Sequence, residues 1–367
     1  MKSIIQISGS RFTKINWSFL FMFLILISSC KKNNEIAPLV PVPVPVDSKS
    51  IFTSFKLNEQ TLQTYINSSK KEIKMEIRHS ADAKLLKPTF DVTPGYKVYA
   101  NGVLQVSGSS TIDLSTSVTY TLTNGQNDSS SWNVEITPLG CKIVIDASHD
   151  GGVWWFPQYN ATGYDASKPH QGQAFANLLR AKGYEVTELG RDKELTEEMF
   201  FGNFIVIRVA GFEPYTSNEI TVYKDLINRG MNLAFFTDHK KNDGVDELGD
   251  FLGLKFNGVA NGVMNKLSSH EITANMNSLN YIAGSVITNA DGNPNIQLLG
   301  WLRPQDYADL NFNGIQDAGE PTAPPVMGIL NYPKSKVFFI GDTNGLEVQP
   351  QPFIDNLIKW MGECRLD

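Results

Sequence analysis

The chain has 367 residues, 41% hydrophobic and 19% charged, which is enough to bury a sizeable core in two or three domains and excludes wholesale disorder. Lys and Arg total 32 against 38 Asp and Glu, a net charge of -6, so no excess of basic charge invites nucleic acid or an acidic membrane. The 3 cysteines are too few for a disulfide scaffold or a Cys-rich zinc module, and each is read by its position.

Residues 1–29 read as an export segment. Lys2, Arg11 and Lys14 precede an apolar run from Phe19 to Ile27, too short to span a bilayer but suited to the core of a signal peptide. Ile27-Ser28-Ser29-Cys30 resembles the bacterial lipobox, which implies lipidation of Cys30 and a membrane contact through the acyl chains. Removing residues 1–29 deletes three basic side chains and no acidic ones, leaving -9 on the mature chain. Residues 30–50 carry PLVPVPVPV, which favours extended polyproline II and reads as a semi-rigid stalk.

Residues 51–138 read as a small β domain. Alternating patterns occur in IFTSFKL, at Ile73, Met75 and Ile77, in YKVYANGVLQVSG, in VTYTLT and in SWNVEITP, separated by Pro94-Gly95, Asn101-Gly102 and Asn124-Gly125. Short strands at this spacing predict an antiparallel sandwich. SFKL, ADAKLLKPTF, NGVLQVSG and the late Trp132 resemble the immunoglobulin-like modules that follow the stalk in many surface lipoproteins of Bacteroidetes. The resemblance implies a spacer, with Trp132 in its core.

After Gly140 the pattern changes. CKIVIDAS, YEVTELG, NFIVIRVAG, NLAFFTDH and KVFFIGD are apolar strands; HQGQAFANLLRAKGY, Ser217 to Arg229, DELGDFLGL and FIDNLIKWMGE are helices. This alternation predicts an α/β domain over 141–367 with a doubly wound, flavodoxin-like parallel sheet. IVIDASHDGG, KGYEV, FIVIRVAGF, the passage from Glu219 to Phe236 and His270-Glu271-Ile272-Thr273 resemble the class I glutamine amidotransferase-like superfamily, in its non-amidotransferase branch that includes trehalose-utilisation-like proteins. Glu271 and Met231 depart from the Pro and Gly more common there.

A true amidotransferase carries a Cys on a strand-to-helix elbow with a nearby His. Cys141 instead opens the first strand of this domain, Cys364 lies in the C-terminal tail, and no G-x-S-x-G substitutes. The reading therefore leans away from an enzyme. Cys141 and Cys364 are either two separate thiols or an export-formed disulfide. Ligands of open α/β sheets bind beyond the carboxyl ends of the strands. Those ends, read from the sequence, carry Asp146, Ser148, His149 and Asp150, then Arg208, Asp238 and His239, and Asp342. His149, Asp150, Asp238 and His239 suit a sugar-directed hydrolase or isomerase; alternatively the set binds ligand or caps loops. Trp154 and Trp155, followed by Phe156, suit stacking on a glycan, or packing against the first domain.

The sharpest motif is Asp309-Leu310-Asn311-Phe312-Asn313-Gly314-Ile315-Gln316-Asp317-Ala318-Gly319-Glu320. Its spacing is that of an EF-hand calcium loop at 309–320: Asp309, Asn311, Asn313 and Asp317 supply oxygens, Ile315 its carbonyl and Glu320 a bidentate carboxylate. PTAPPV after it forbids an exiting helix, so calcium would play a structural role. The expectation is thus an exported, lipid-anchored protein of the outer membrane or cell surface. Its α/β module binds a glycan or another small molecule, with an outer-membrane protein as a further partner. A sugar-directed enzyme and a structural docking protein are the alternatives.

Overall fold

The structure is a computed structural model that describes residues 51–125, 128–192, 194–240, 245–343, 346 and 351–362. The export segment, Cys30, the stalk and Cys364 lie outside these residues. The N-terminal strands are β1 (Phe52–Lys56), β2 (Tyr65–Asn67), β3 (Glu72–Ile77), β4 (Thr89–Val92), β5 (Lys97–Ala100), β6 (Val103–Gln105), β7 (Val118–Thr123) and β8 (Ser129–Pro138). Strands β1 and β4 pair as one sheet, and the rest form a second in the order β2-β3-β8-β7-β5-β6. Between the sheets, Phe52 and Phe55 of β1 meet Ile73, Met75, Tyr120 and Trp132 of the larger sheet. Phe52 and Trp132 cross edge to face at 5.4 Å, a geometry that the ring quadrupoles favour. Trp132 is buried in this core. The all-antiparallel expectation is corrected at one pair: β3 and β8 run parallel, Glu72 opposite Asn133 through Ile77 opposite Pro138.

The C-terminal elements are β9 (Lys142–Asp146), α1 (Gln173–Ala181), β10 (Glu185–Leu189), β11 (Asn203–Arg208), α2 (Ser217–Arg229), β12 (Asn232–Phe236), α3 (Glu247–Leu252), β13 (Phe256–Leu267), β14 (Leu279–Ile287), β15 (Ile296–Leu302), β16 (Ala308–Asp309), β17 (Pro325–Asn331), β18 (Lys336–Ile340) and α4 (Gln351–Gly362). The sheet order is β10-β9-β11-β12-β18-β17-β15-β13-β14, with β16 pairing to β13. The strands from β10 to β18 are parallel neighbours, and those from β17 to β14 are antiparallel. The expected parallel sheet is therefore only half of a mixed one.

Burial explains the apolar strands. Ile143, Ile145, Ile205 and Ile207 face α1 and α4, whereas Val144, Val206, Leu233 and Phe235 face α2 and α3. A strand covered on both sides reads as an unbroken apolar run. Helix α2 is bounded by local chemistry: Thr216 and Glu219 form a reciprocal capping box, and Gly230, at φ 114°, closes the other end. Cys141 is disulfide-bonded.

Arg229, the last residue of α2, joins the two parts of the fold. Its guanidinium reaches Glu76 of β3 at 2.8 Å, Glu197 at 2.5 Å and the Gln63 carbonyl at 2.7 Å, and lies over the rings of Tyr65 and Phe201. Burial pushes both Glu76 and Glu197 above the usual carboxylate range, and Arg229 opposes the shift. The Arg229→Ala variant strands Glu76 without a counter-charge and is expected to unfold about 3–5 kcal/mol more easily at neutral pH. A carboxyl whose folded pKa is raised regains stability as pH falls, so this deficit should shrink in mildly acidic buffer. Urea titrations at both pH values measure it.

Candidate functional site

The carboxyl ends of the parallel strands carry a buried polar layer. Asp146, the last residue of β9, accepts bonds from Ser148 N at 3.0 Å, Ser148 Oγ at 2.6 Å, Tyr215 OH at 2.9 Å and Tyr223 OH at 2.5 Å. Burial and then the Asp146 charge push both tyrosines well above their ordinary pKa, so they stay protonated and act as donors. Arg208, at the end of β11, donates from Nε to Tyr215 OH at 3.3 Å. Nη1 donates to the Ala210 and Phe236 carbonyls at 2.9 and 3.2 Å, and Nη2 to Asp246 Oδ2 at 2.7 Å. Burial alone would weaken the Arg208 charge, but Asp246 and Tyr215 outweigh it and raise its pKa. Lys240 also faces Asp246, at 3.6 Å, and burial lowers its pKa against that attraction.

Above this layer lies an open cleft of about 450 Å³, lined in part by Ser148, His149, Arg191, Glu194, Glu213 and Glu219. His149 Nδ1 is 2.6 Å from Ser148 Oγ and Nε2 is 3.4 Å from Glu219 Oε2, while the imidazole stacks on Tyr215 at 3.8 Å. The same Glu219 carboxylate accepts from Thr216 N in the capping box and from Leu195 N. Ser148, His149 and Glu219 thus form a Ser-His-Glu array, but the serine is buried and its oxygen also engages Asp146. The hydroxyl has one proton and donates it to Asp146 Oδ1, which suits a linker better than a nucleophile.

The residues singled out from the sequence separate into groups. Asp146, Ser148, His149 and Arg208 converge around Tyr215. Asp238 and His239 form a separate pair, with His239 Nδ1 at 2.8 Å from Asp238 Oδ1; this bond pushes the imidazole pKa up. Asp342 accepts from Ile282 N at 2.7 Å. Burial places several of the others inside the protein. Asp150 accepts from Gly152 N, Trp155 N and the Arg191 guanidinium. Trp154 and Trp155 are 2% and 0% exposed and belong to the core against α1, so they present no face to a glycan. Asp146, Arg208 and Asp342 are likewise fully buried; the first two belong to the layer, and Asp342 holds the backbone of Ile282. In the 309–320 loop, Asp309 accepts from Asn313 N and Gly314 N, Glu320 from Leu310 N and Asp317 N, and Asp317 from the side-chain amides of Asn311 and Asn313. Ile315 N donates to Asn313 Oδ1. Among the described residues no cluster of three or more His, Cys, Asp or Glu side chains is placed to hold a metal.

The sequence reading missed Tyr215, Tyr223, Arg191 and Asp246. Only Glu219 carried a usable signal: T-x-x-E at Thr216 to Glu219 marks the start of α2, and Tyr223 follows one turn later on the same face.

Residues 52–136 match the family profile described as "SGBP, N-terminal", the N-terminal module of surface glycan-binding proteins. No curated protein matches the chain. Among solved structures, the chain is similar to the mmIFT52 N-terminal domain at 14% identity and TM-score 0.45, covering 61% of this chain and 100% of that one. A ThuA-like protein from Parabacteroides merdae is 11% identical at TM-score 0.37, covering 60% and 88%. A secreted protein from Bacteroides fragilis is 11% identical at TM-score 0.21, covering 26% and 98%. At these scores the likenesses establish neither fold nor function.

Tyr223→Phe removes a charge-assisted bond to buried Asp146 and should cost about 1.5–3 kcal/mol. His239→Ala removes a half-exposed ring but also one of the two donors to buried Asp238, and should cost about 0.5–1.5 kcal/mol. Denaturant unfolding of the two variants checks the distinction between buried layer and exposed groups.

Proposed function

We propose that the chain is an exported, lipid-anchored surface glycan-binding protein whose C-terminal α/β part contacts the glycan at the carboxyl ends of its parallel strands. The observation that carries this reading is the match of residues 52–136 to the N-terminal module of surface glycan-binding proteins. The lipobox-like Ile27-Ser28-Ser29-Cys30 and the proline-valine stalk support export and anchoring, as does the disulfide at Cys141, which belongs in an oxidising compartment. Pairing of Cys141 with Cys364 is part of the same proposal; Gly140 and Gly362 line one cavity. Helices on both faces of the parallel strands support the glutamine amidotransferase-like reading, and Cys141, at the amino end of β9, is far from any nucleophile position. The mixed charges of the cleft suit hydroxyl recognition, in which carboxylates accept and Arg191 donates.

Native affinity electrophoresis of the mature protein, with Cys30 replaced by Ser for solubility, through gels containing starch, xylan, mannan, mixed-linkage β-glucan or pectin tests the function. Retardation by at least one polysaccharide is expected, and free migration in all of them would overturn the reading. In cells of the source organism, the full chain should fractionate with membranes and the Cys30→Ser chain should be released from them.

We propose in addition that the 309–320 loop binds calcium, with Asp309, Asn311, Asn313, Asp317 and Glu320 as side-chain donors and Ile315 through its carbonyl. Its oxygen-only donor set in EF-hand order supports this; the amides of Asn311 and Asn313 would turn their oxygens inward on binding. Calcium at a hundredfold excess over its Kd should add about 2.7 kcal/mol to stability, visible as a rise in Tm that a chelator removes. An identical Tm in calcium and chelator would remove calcium from the account.

A further inference from the structure

The loop that gives Glu213 and Pro214 to the cleft also carries Phe212, and Phe212 belongs to neither C-terminal core cluster. Its ring is 37% exposed and stands 4.9 Å from the imidazole of His239, which lies 5.9 Å from the ring of Phe312. The His239 side chain is 43% exposed. Ile282 and Ile315, from the two segments that flank this row, are exposed as well. Rings brought side by side from three separate segments differ from the scattered single apolar residues of an ordinary surface and point to a ligand-binding role.

The row is held in place. Phe212 N donates to the His149 carbonyl at 2.9 Å, and its ring sits on Gly151, where an added Cβ would come within 2.4 Å of the Phe212 Cβ. The Lys240 ammonium lies 5.4 Å from the same ring and bonds the Gly211 carbonyl. His239 is fixed by Asp238, which accepts from both its backbone N and its Nδ1 at 2.8 Å. Three residues other than glycine adopt left-handed backbone here: Ala210 at φ 59°, two positions before Phe212; Ala283 at 55°, next to Ile282; and Phe312 itself at 63°. Such conformations are sterically costly for side chains with a Cβ and concentrate where a site must be shaped.

The polar groups beside the row serve the protein. Asp238 is 2% exposed and its Oδ1 holds both the backbone N and Nδ1 of His239, so the imidazole is fixed and offers the face of its ring. A ligand with an apolar face and a polar rim would cover the phenyl rings and the imidazole and keep its rim in water. A pyranose has that composition: C-H groups on its faces and hydroxyls at its rim.

We propose that Phe212, His239 and Phe312 form a sugar-stacking subsite in which one pyranose lies against the aromatic row with its hydroxyl rim toward solvent. This deepens the glycan-binding reading and rests on it. It also moves the stacking role assigned from sequence to Trp154 and Trp155 onto residues that solvent reaches.

The test uses the mature chain and whichever of the five polysaccharides retards it most, with affinity read from retardation against polysaccharide concentration. Phe212→Ala with His239→Ala should weaken binding at least tenfold while a cooperative melting transition shows the chain still folded. Phe212→Leu keeps the apolar contact on Gly151 but lacks the aromatic face; it should also bind at least fivefold more weakly, which a mere packing role would not produce. If the wild-type chain is retarded and these variants match it, the subsite is wrong and the glycan reading stands. If the wild-type chain is retarded by none, both fall. Unchanged retardation together with loss of self-association in gel filtration would make this face a contact for a second copy of the chain, and would overturn the subsite.

Discussion

A fully buried guanidinium organises the carboxyl end of the parallel strands in the C-terminal sheet. Removing a cation from water is tolerable only when its donors are bonded and a counter-charge is near. Arg208 places all three of its nitrogens in bonds by drawing in its own following loop at Ala210, the end of β12 at Phe236, the N-cap of α3 at Asp246 and, through Tyr215, the Asp146 carboxylate at the end of β9. Four separate pieces of chain are thereby set relative to one another by one charge. The packing is close enough that Gly211 has no room for a side chain: a Cβ there would lie 1.5 Å from Arg208 Nη2.

This layer divides the polar residues of the sheet end into two kinds. Asp146, Asp150 and Arg208 are buried, bond to protein groups and give the loops their shape. His149, Glu213, Phe212 and His239 stand above them with part of their surface in solvent. The division bears on chemistry. In the Ser148, His149 and Glu219 array, the serine oxygen bridges Asp146 and the imidazole, and the glutamate is engaged by two backbone amides. Each group is positioned by the buried layer, which favours a rigid recognition surface over a hydroxyl poised for attack.

The same division explains what was legible in the sequence. The parallel strands announced themselves because both faces are buried, and the ends of α2 because Thr216, Glu219 and Gly230 are local signals that packing need not override. The stretch from β13 to β17 was not legible. Its strands alternate buried and exposed positions irregularly, with register shifts between β13 and β14 and positive φ at Gly258 and Ala283, so no single period runs through them. Trp154 and Trp155 misled for a related reason. Neither a strand nor a helix buries two successive rings in one core, but Gly151 and Gly152, both at positive φ, lead into a turn that Asp150 locks through Trp155 N, and both indoles go inward. The aromatic surface that solvent does reach is discontinuous in sequence: Phe212, His239 and Phe312 are brought together only by the fold.

The two ends of the parallel strands also have different neighbours, and this sets the direction of the molecule. The amino ends, at Gly140, Asn203, Gly230 and Asn232, share a cavity with Thr61, Leu62, Arg78 and His79 of the N-terminal part, and Arg229 secures that junction with two carboxylates. The carboxyl ends hold the cleft and the aromatic row. A strand of five residues such as β9 places these ends about 17 Å apart, at about 3.3 Å per residue. The N-terminal part therefore covers the end that ligands of such sheets do not use and leaves the other open. The Arg229 contacts engage backbone and side chains from β3, from the turn before β2 and from the segment before β11, so the charge that caps the end of α2 also ties the amino end of the sheet to the strands that precede it.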